Sequence, residues 1–254
     1  MKALRQAISF LTVLPAGRQG AVMEMAPARA YFPLVGLLLG GVLAGADLAL
    51  RPILPPLVSG AVLVVVLVVL TRALHVEGFM DACDGLLGGF TRERRLEIMK
   101  DSHVGGFAVI GVVGLLLLKW TAVVGLQPSV RLSTLVLFPC LSRWAMLVAM
   151  AGYPYARAQG VGASFQRGQN AWQVAFAFAT ALAASLLLAR GAGVLLLVLA
   201  TAMAWGLGRW MAGLLGGLTG DTYGAVNEVC EATVLVAAIA LAAGAPVLFR
   251  WPMA

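Results

Sequence analysis

Long apolar stretches interrupted by short charged ones run along the whole chain, as at Gly60–Leu70 and Gly193–Ala204. A bilayer core takes ~20 apolar residues per helix. Seven stretches have that length, at about 31–50, 53–72, 105–124, 132–150, 171–189, 194–213 and 230–249. A transmembrane barrel instead needs short segments of alternating polarity, which these runs are not. The pattern predicts an all-α polytopic integral membrane bundle of about seven transmembrane helices. Ahead of the first span, Leu4, Ala7, Ile8 and Leu11 share one helical face, the signature of an N-terminal helix lying in the membrane interface. A signal peptide is not expected, because Ser9 and Thr12 break its apolar stretch and no small-x-small cleavage site precedes Arg18.

Composition supports this reading. Of 254 residues 61% are hydrophobic and 11% charged, against ~25% charged in soluble domains, so a soluble globular fold is excluded. Neither a repeat nor a shift in composition divides the chain, and residues 1–254 read as one integral domain. The net charge of +7 serves orientation and anionic head groups, so membrane lipid is the expected partner and nucleic acid is not. Cys83, Cys140 and Cys230 lack a C-x-x-C pairing and read as small core residues.

Basic residues set the sidedness. With the N-terminus inside, Lys2, Arg5, Arg18, Arg29, Arg72, Arg92, Arg94, Arg95, Lys100, Arg157 and Arg167 all fall on inner segments. Arg143 and Arg209 lie toward the inner halves of spans, while Arg51, Lys119, Arg131, Arg190 and Arg250 fall outside. Carboxylates do not govern topology, yet all of them except Asp47 lie on or beside inner segments. Such one-sided clustering of a scarce residue type points to a site at that face.

Its densest part is His75-Val-Glu77-Gly-Phe-Met-Asp81-Ala-Cys-Asp84-Gly85. Glu77, Asp81 and Asp84 are spaced i,i+4 and i,i+3, so a helix presents all three on one face. Grouped carboxylates repel unless a cation binds them, and hard oxygen ligands suit magnesium or manganese, with substrate phosphates completing the shell. The alternative is a solvated acidic helix end. Downstream, Thr91 has the place of an N-cap for a charged segment in which Glu93, Arg94 and Arg95 read as a solvated face. Asp101 differs, because it directly precedes the glycine-containing start of an apolar span.

Gly216-Gly217-Leu-Thr-Gly220-Asp221-Thr-Tyr-Gly-Ala225 reads as a glycine-rich loop on the same side, able to approach a phosphate closely, with Asp221 near the metal. Glu228 and Glu231 are expected at the start of the last span. Arg143 lies inside a span and Arg157 in Tyr153-Pro-Tyr-Ala-Arg157, and both are candidate anion clamps. For Arg143 the alternative is snorkelling to the interface, which is the preferred reading of Arg209. His75 and His103 read as polar cavity residues rather than a paired metal site.

In this order the motifs resemble those of the cobalamin-5'-phosphate synthase family, also called adenosylcobinamide-GDP ribazoletransferases. The resemblance runs nearly end to end, through Phe10-Leu-Thr-Val-Leu-Pro15, Tyr31-Phe-Pro-Leu-Val-Gly36, the His75–Gly85 block, Arg94–Ser102, Arg143-Trp144, Tyr153–Gly160 and Gly220–Ala225 with Glu228 and Glu231. The family pattern usually has aspartate where this chain has Glu77. The resemblance implies magnesium-dependent transfer of the phosphocobinamide group of adenosylcobinamide-GDP to the hydroxyl of α-ribazole or α-ribazole 5'-phosphate, releasing GMP. That is the last assembly step of the cobalamin nucleotide loop, at a bacterial or archaeal cytoplasmic membrane with the site facing the cytoplasm.

With that implied, Glu77, Asp81, Asp84 and Asp101 are the expected magnesium ligands. Asp101 and Asp221 are the candidate proton acceptors. Arg143, Arg157, Gly220, His75, Glu228 and Glu231 are the expected substrate-binding residues. Two rivals fit less well. A CDP-alcohol phosphotransferase needs an Ala-Arg pair shortly after its first Asp-Gly, whereas Asp84-Gly85 leads into Leu86-Leu-Gly-Gly. A cation-coupled transporter should carry mid-membrane acidic residues and repeated halves.

Overall fold

The computed structural model describes residues 2–14, 25–157, 161–166 and 170–249. Arg18, Glu24, Arg167, Arg250 and the end of the Tyr153–Gly160 stretch, all part of the sequence reading, lie outside them. The described residues form helices and no strand. They are α1 (Lys2–Leu11), α2 (Phe32–Leu50), α3 (Pro56–Leu70), α4 (Leu74–Gly88), α5 (Arg92–Ile98), α6 (Gly106–Gly125), α7 (Pro128–Gly152), α8 (Val161–Gln166), α9 (Ala171–Leu215) and α10 (Gly220–Gly244). A 3₁₀ turn, Ala26–Tyr31, leads into α2 and a second, Pro246–Phe249, follows α10.

Five of these stretches are long and apolar enough to cross a bilayer, with a sixth if α3 and α4 count as one bent span. Helix α9 adds another pass. It breaks at Arg190 (φ 53, ψ −126), and both its arms meet Trp144, whose indole N–H donates to Thr201 Oγ1 at 2.9 Å and whose ring lies 5.5 Å from that of Phe178. Residues about eleven positions either side of the break therefore share one level, as in an antiparallel hairpin. The expected count of about seven passes is recovered, and the chain is an all-α polytopic membrane bundle.

At the centre of the bundle is α7, buried over most of its length. Without a hydrophobic drive between helices in lipid, close backbone approach by small residues supplies the packing. Gly36 and Gly40, one turn apart on α2, lie against the α7 backbone at Pro139 and Val136, where any side chain would collide.

Two expectations are corrected. The helix of the span expected at 53–72 is shorter, Pro56–Leu70 with fifteen residues, because Arg72 and Ala73 take positive φ (53° and 54°) and turn α4 by 89° from α3. The turn is held by α1. Arg72 donates to Ser9 O at 3.0 Å, and Val13 N–H to Leu70 O at 2.8 Å. The last span begins at Gly220 rather than near 230, so Gly220–Ala225 is helix and not loop. The cause is a capping box: Thr219 Oγ1 accepts from Thr222 N–H while the Thr222 hydroxyl accepts from Thr219 N–H. Helix α1 buries Ala7 and Leu11 and exposes Lys2 and Arg5, matching its predicted faces.

Candidate active site

At one end of the bundle α4 crosses the first turns of α10. Gly78 faces the Asp221 backbone and Gly224 faces His75, where added Cβ atoms would stand 3.1 Å and 2.9 Å from main-chain atoms. That closeness brings Asp81 and Glu77, on α4, within electrostatic reach of Asp221, in the first turn of α10. Glu77 is exposed, and Asp81 and Asp221 are half-buried.

Arg157 joins the three carboxylates from the segment after α7. Its Nη2 lies 2.8 Å from Asp221 Oδ2, and it also acts electrostatically on Asp81. Two backbone bonds clamp this segment to the turn before α10: Ala156 N–H to Leu218 O at 2.7 Å and Leu218 N–H to Pro154 O at 2.8 Å. The turn can run so close because Gly217 has φ +148 and no side chain. A Cβ there would stand 2.6 Å from Pro154 O. Helix α5 closes the assembly from the side, its Arg92 Nε donating to Leu215 O at 2.7 Å.

Asp84 and Asp101 are placed differently. The Asp84 carboxylate accepts from Gly105 N–H at 2.7 Å and Ala108 N–H at 2.8 Å, which caps α6 from a neighbouring helix. Asp101 stands in the exposed α5–α6 loop with His103 Nδ1 at 2.6 Å. Hydrogen bonds from the His103 backbone N–H and ring hold the Asp101 carboxyl below its ordinary pKa. Thr91 is the expected N-cap of α5, accepting from Arg94 N–H at 3.3 Å, and Glu93 and Arg94 are exposed as a solvated face should be.

Beneath the surface cluster is a second, closed layer. Lys119, read from the sequence as an outer residue, is buried in the bundle with its ammonium 2.5 Å from both Glu228 Oε2 and Glu231 Oε2. This corrects its placement. Glu228 and Glu231 sit in the third and fourth turns of α10 and not at the start of a span. Glu231 also binds Arg143 Nη1, and Arg143 Nη2 lies 3.5 Å from His75 Nδ1. Asn227 Nδ2 is 3.2 Å from both Glu228 Oε1 and Glu231 Oε1. Two cations thus face two carboxylates, and their residues are at most 4% exposed. Arg143, His75, Glu228 and Glu231 are gathered with Lys119 in this buried layer, not among the surface carboxylates. Gly220 is exposed at the N-terminus of α10, beside Asp221.

Sequence reasoning missed Lys119, Asn227 and Arg92. A lone lysine inside a span is costly unless paired and was itself the signal for the first. A matching pair at the opposite end, Arg131 with Asp47 at 2.8 Å, accounts for the one carboxylate outside the cluster. Cys140 and Cys230 are buried core residues, and Cys83 is half-buried.

As it stands the surface layer is a group of three carboxylates with one guanidinium. Among the described residues no three His, Cys, Asp or Glu side chains converge tightly enough to enclose a metal ion.

Comparison with known proteins gives this geometry a setting. A family model described as cobalamin-5-phosphate synthase matches residues 3–239. Proteins called adenosylcobinamide-GDP ribazoletransferase are similar over nearly the whole chain. The one from Desulfitobacterium hafniense is 42% identical over 95% of this chain and 98% of its own length. That from Desulforamulus reducens is 39% identical over 92% and 94%, and that from Roseiflexus sp. 37% identical over 91% and 86%. No solved structure matches. A membrane bundle whose sequence fits the family model from α1 into α10 belongs to the cobalamin-5-phosphate synthase family, and is a transferase of cobalamin biosynthesis.

Proposed function

We propose that the chain transfers the phosphocobinamide group of adenosylcobinamide-GDP to α-ribazole or α-ribazole 5'-phosphate, releasing GMP, at the α4–α10 end of the bundle. The observation that carries this reading is the gathering of Glu77, Asp81 and Asp221 around Arg157 at that end. The relatives' names supply the substrates, and the excess of Lys and Arg on the segments flanking this end supports its facing the cytoplasm, with the bundle in the cytoplasmic membrane.

Magnesium is the metal implied by the resemblance, and the donor set suits it. Mg²⁺ is usually held by one or two carboxylates, with waters and substrate phosphates as its other ligands, and needs no all-protein cage. Asp81 and Asp221, with Glu77 beside them, would hold it. Bound there, the ion supplies charge neutralisation for the pyrophosphate and for the departing GMP. Asp84 is committed to the α6 N-terminus and enters this reading as a support for α4.

Arg157 offers its planar, permanently charged guanidinium to the phosphate oxygens of the nucleotide-linked substrate. The acceptor hydroxyl attacks the phosphorus attached to cobinamide, the bond from that phosphorus to the bridging oxygen breaks, and GMP carries off the electron pair. The hydroxyl proton passes to a carboxylate that is not engaged by the metal. Asp101 has that freedom, four residues before Gly105, whose N–H is bound to Asp84. The buried Lys119, Arg143, Glu228, Glu231 and His75 network fixes α4 and α10 relative to α6 and α7, and supports the substrate-binding surface from below.

The test is GMP release by the purified protein given adenosylcobinamide-GDP, α-ribazole and Mg²⁺. Release that requires both substrates supports the proposal. Its absence in protein shown to be folded removes it.

A further inference from the structure

The Arg157–Asp221 pair spends an interaction that the proposed metal site needs. Asp221 Oδ2 is bound by Arg157 Nη2 at 2.8 Å and by the Thr219 hydroxyl at 3.2 Å. Thr219 is the N-cap of α10 and cannot leave without unwinding the helix start. Among the described residues the head of Arg157 makes only one other hydrogen bond, Nη2 to Met99 O at a marginal 3.5 Å, and its buried Nε has no hydrogen-bond partner. The guanidinium is the less tethered half of the pair.

Charge points the same way. Glu77, Asp81 and Asp221 carry three negative charges against one positive charge from Arg157, which acts on both Asp81 and Asp221. With a divalent cation added, the four side chains and the ion sum to zero. Cation and guanidinium then compete for the same oxygen of Asp221, unless the guanidinium finds another anion. The pyrophosphate of the donor is such an anion, with several oxygens suited to arginine's planar fork.

Resting on the metal reading proposed above, we infer that Arg157 is a stand-in cation which keeps divalent-metal affinity low in the empty site. It moves from Asp221 to the donor's phosphates when donor and metal arrive together. Metal and donor thereby bind cooperatively, because each removes the competitor of the other. The site is spared occupation by metal alone.

The test measures Mn²⁺ binding to the detergent-solubilised full chain by electron paramagnetic resonance, with and without adenosylcobinamide-GDP and with no acceptor. Wild type should bind Mn²⁺ weakly alone and roughly tenfold more tightly with donor, the scale of one charge-assisted contact. Arg157→Gln should bind Mn²⁺ alone roughly tenfold more tightly than wild type and gain little from donor. Arg157→Lys, which keeps a charge able to pair with Asp221, should bind the metal alone as wild type does and guards against a folding artefact. Arg157→Gln binding Mn²⁺ no more tightly than wild type, with Asp81→Asn binding it less tightly, would overturn the inference and leave the metal reading standing. Asp81→Asn binding Mn²⁺ as wild type does would remove the metal reading itself, and the inference with it.

Discussion

Lys119 on α6 reaches across the bundle to Glu231 on α10, 2.5 Å from nitrogen to oxygen and 112 residues apart in sequence. Removing one partner of a buried pair leaves an uncompensated charge, at a cost of about 3–5 kcal/mol. Lys119→Met should therefore strongly lower the thermal midpoint in detergent. Adding Glu228→Gln restores the balance of charge and should recover most of the loss. No recovery in the double variant would mean that the lysine acts through packing alone.

Asp84 gives a sharper test, because a cap and a metal ligand fail differently. Asp84→Ala leaves two N–H groups at the start of α6 without their acceptor, and should cost about 1–2 kcal/mol of stability. The apparent KM for Mg²⁺ should stay where it is. A raised KM for Mg²⁺ at unchanged stability would return Asp84 to the metal site.

Much of this architecture was legible beforehand. The apolar runs located the passes, the shared face of Leu4, Ala7, Ile8 and Leu11 located α1, and Thr91 marked the start of α5. What escaped was set by tertiary pairing. Lys119 falls toward the outer side of its span by the count of basic residues, and nothing local ties it to Glu228 and Glu231. The bend between α3 and α4 rests on positive φ at Arg72 and Ala73, neither of them a glycine. The early start of α10 did have a local signal, Thr219 and Thr222 at capping-box spacing, but the surrounding glycines read more strongly as a loop.

Gly217 offers a backbone test. At φ +148 any side chain is strained, and a methyl group would press on Pro154 O. Gly217→Ala should cost about 1–3 kcal/mol and loosen the segment carrying Arg157. The loss should appear in kcat/KM for the nucleotide-linked donor more than for α-ribazole. Equal losses for both substrates would show a general destabilisation.

The pH dependence distinguishes the proton acceptor. The His103 backbone N–H and ring hold the Asp101 pKa below its ordinary value, so the carboxylate keeps its charge further into acid. His103→Gln removes the ring's share, and the folded-state pKa should rise toward the ordinary value. If Asp101 takes the hydroxyl proton, the acid limb of kcat should move to higher pH in this variant. An unmoved limb would assign the step to another carboxylate.

The proposed chemistry centres on Asp81 and Asp221, brought within electrostatic reach at the α4–α10 crossing. The direct measurement is steady-state GMP release at saturating Mg²⁺ by Asp81→Asn and Asp221→Asn, each checked for a wild-type thermal midpoint. Both should lose at least a hundredfold in kcat/KM, about 2.7 kcal/mol of transition-state stabilisation. Near-normal turnover in either folded variant would contradict the claim that these two carboxylates together carry the reaction.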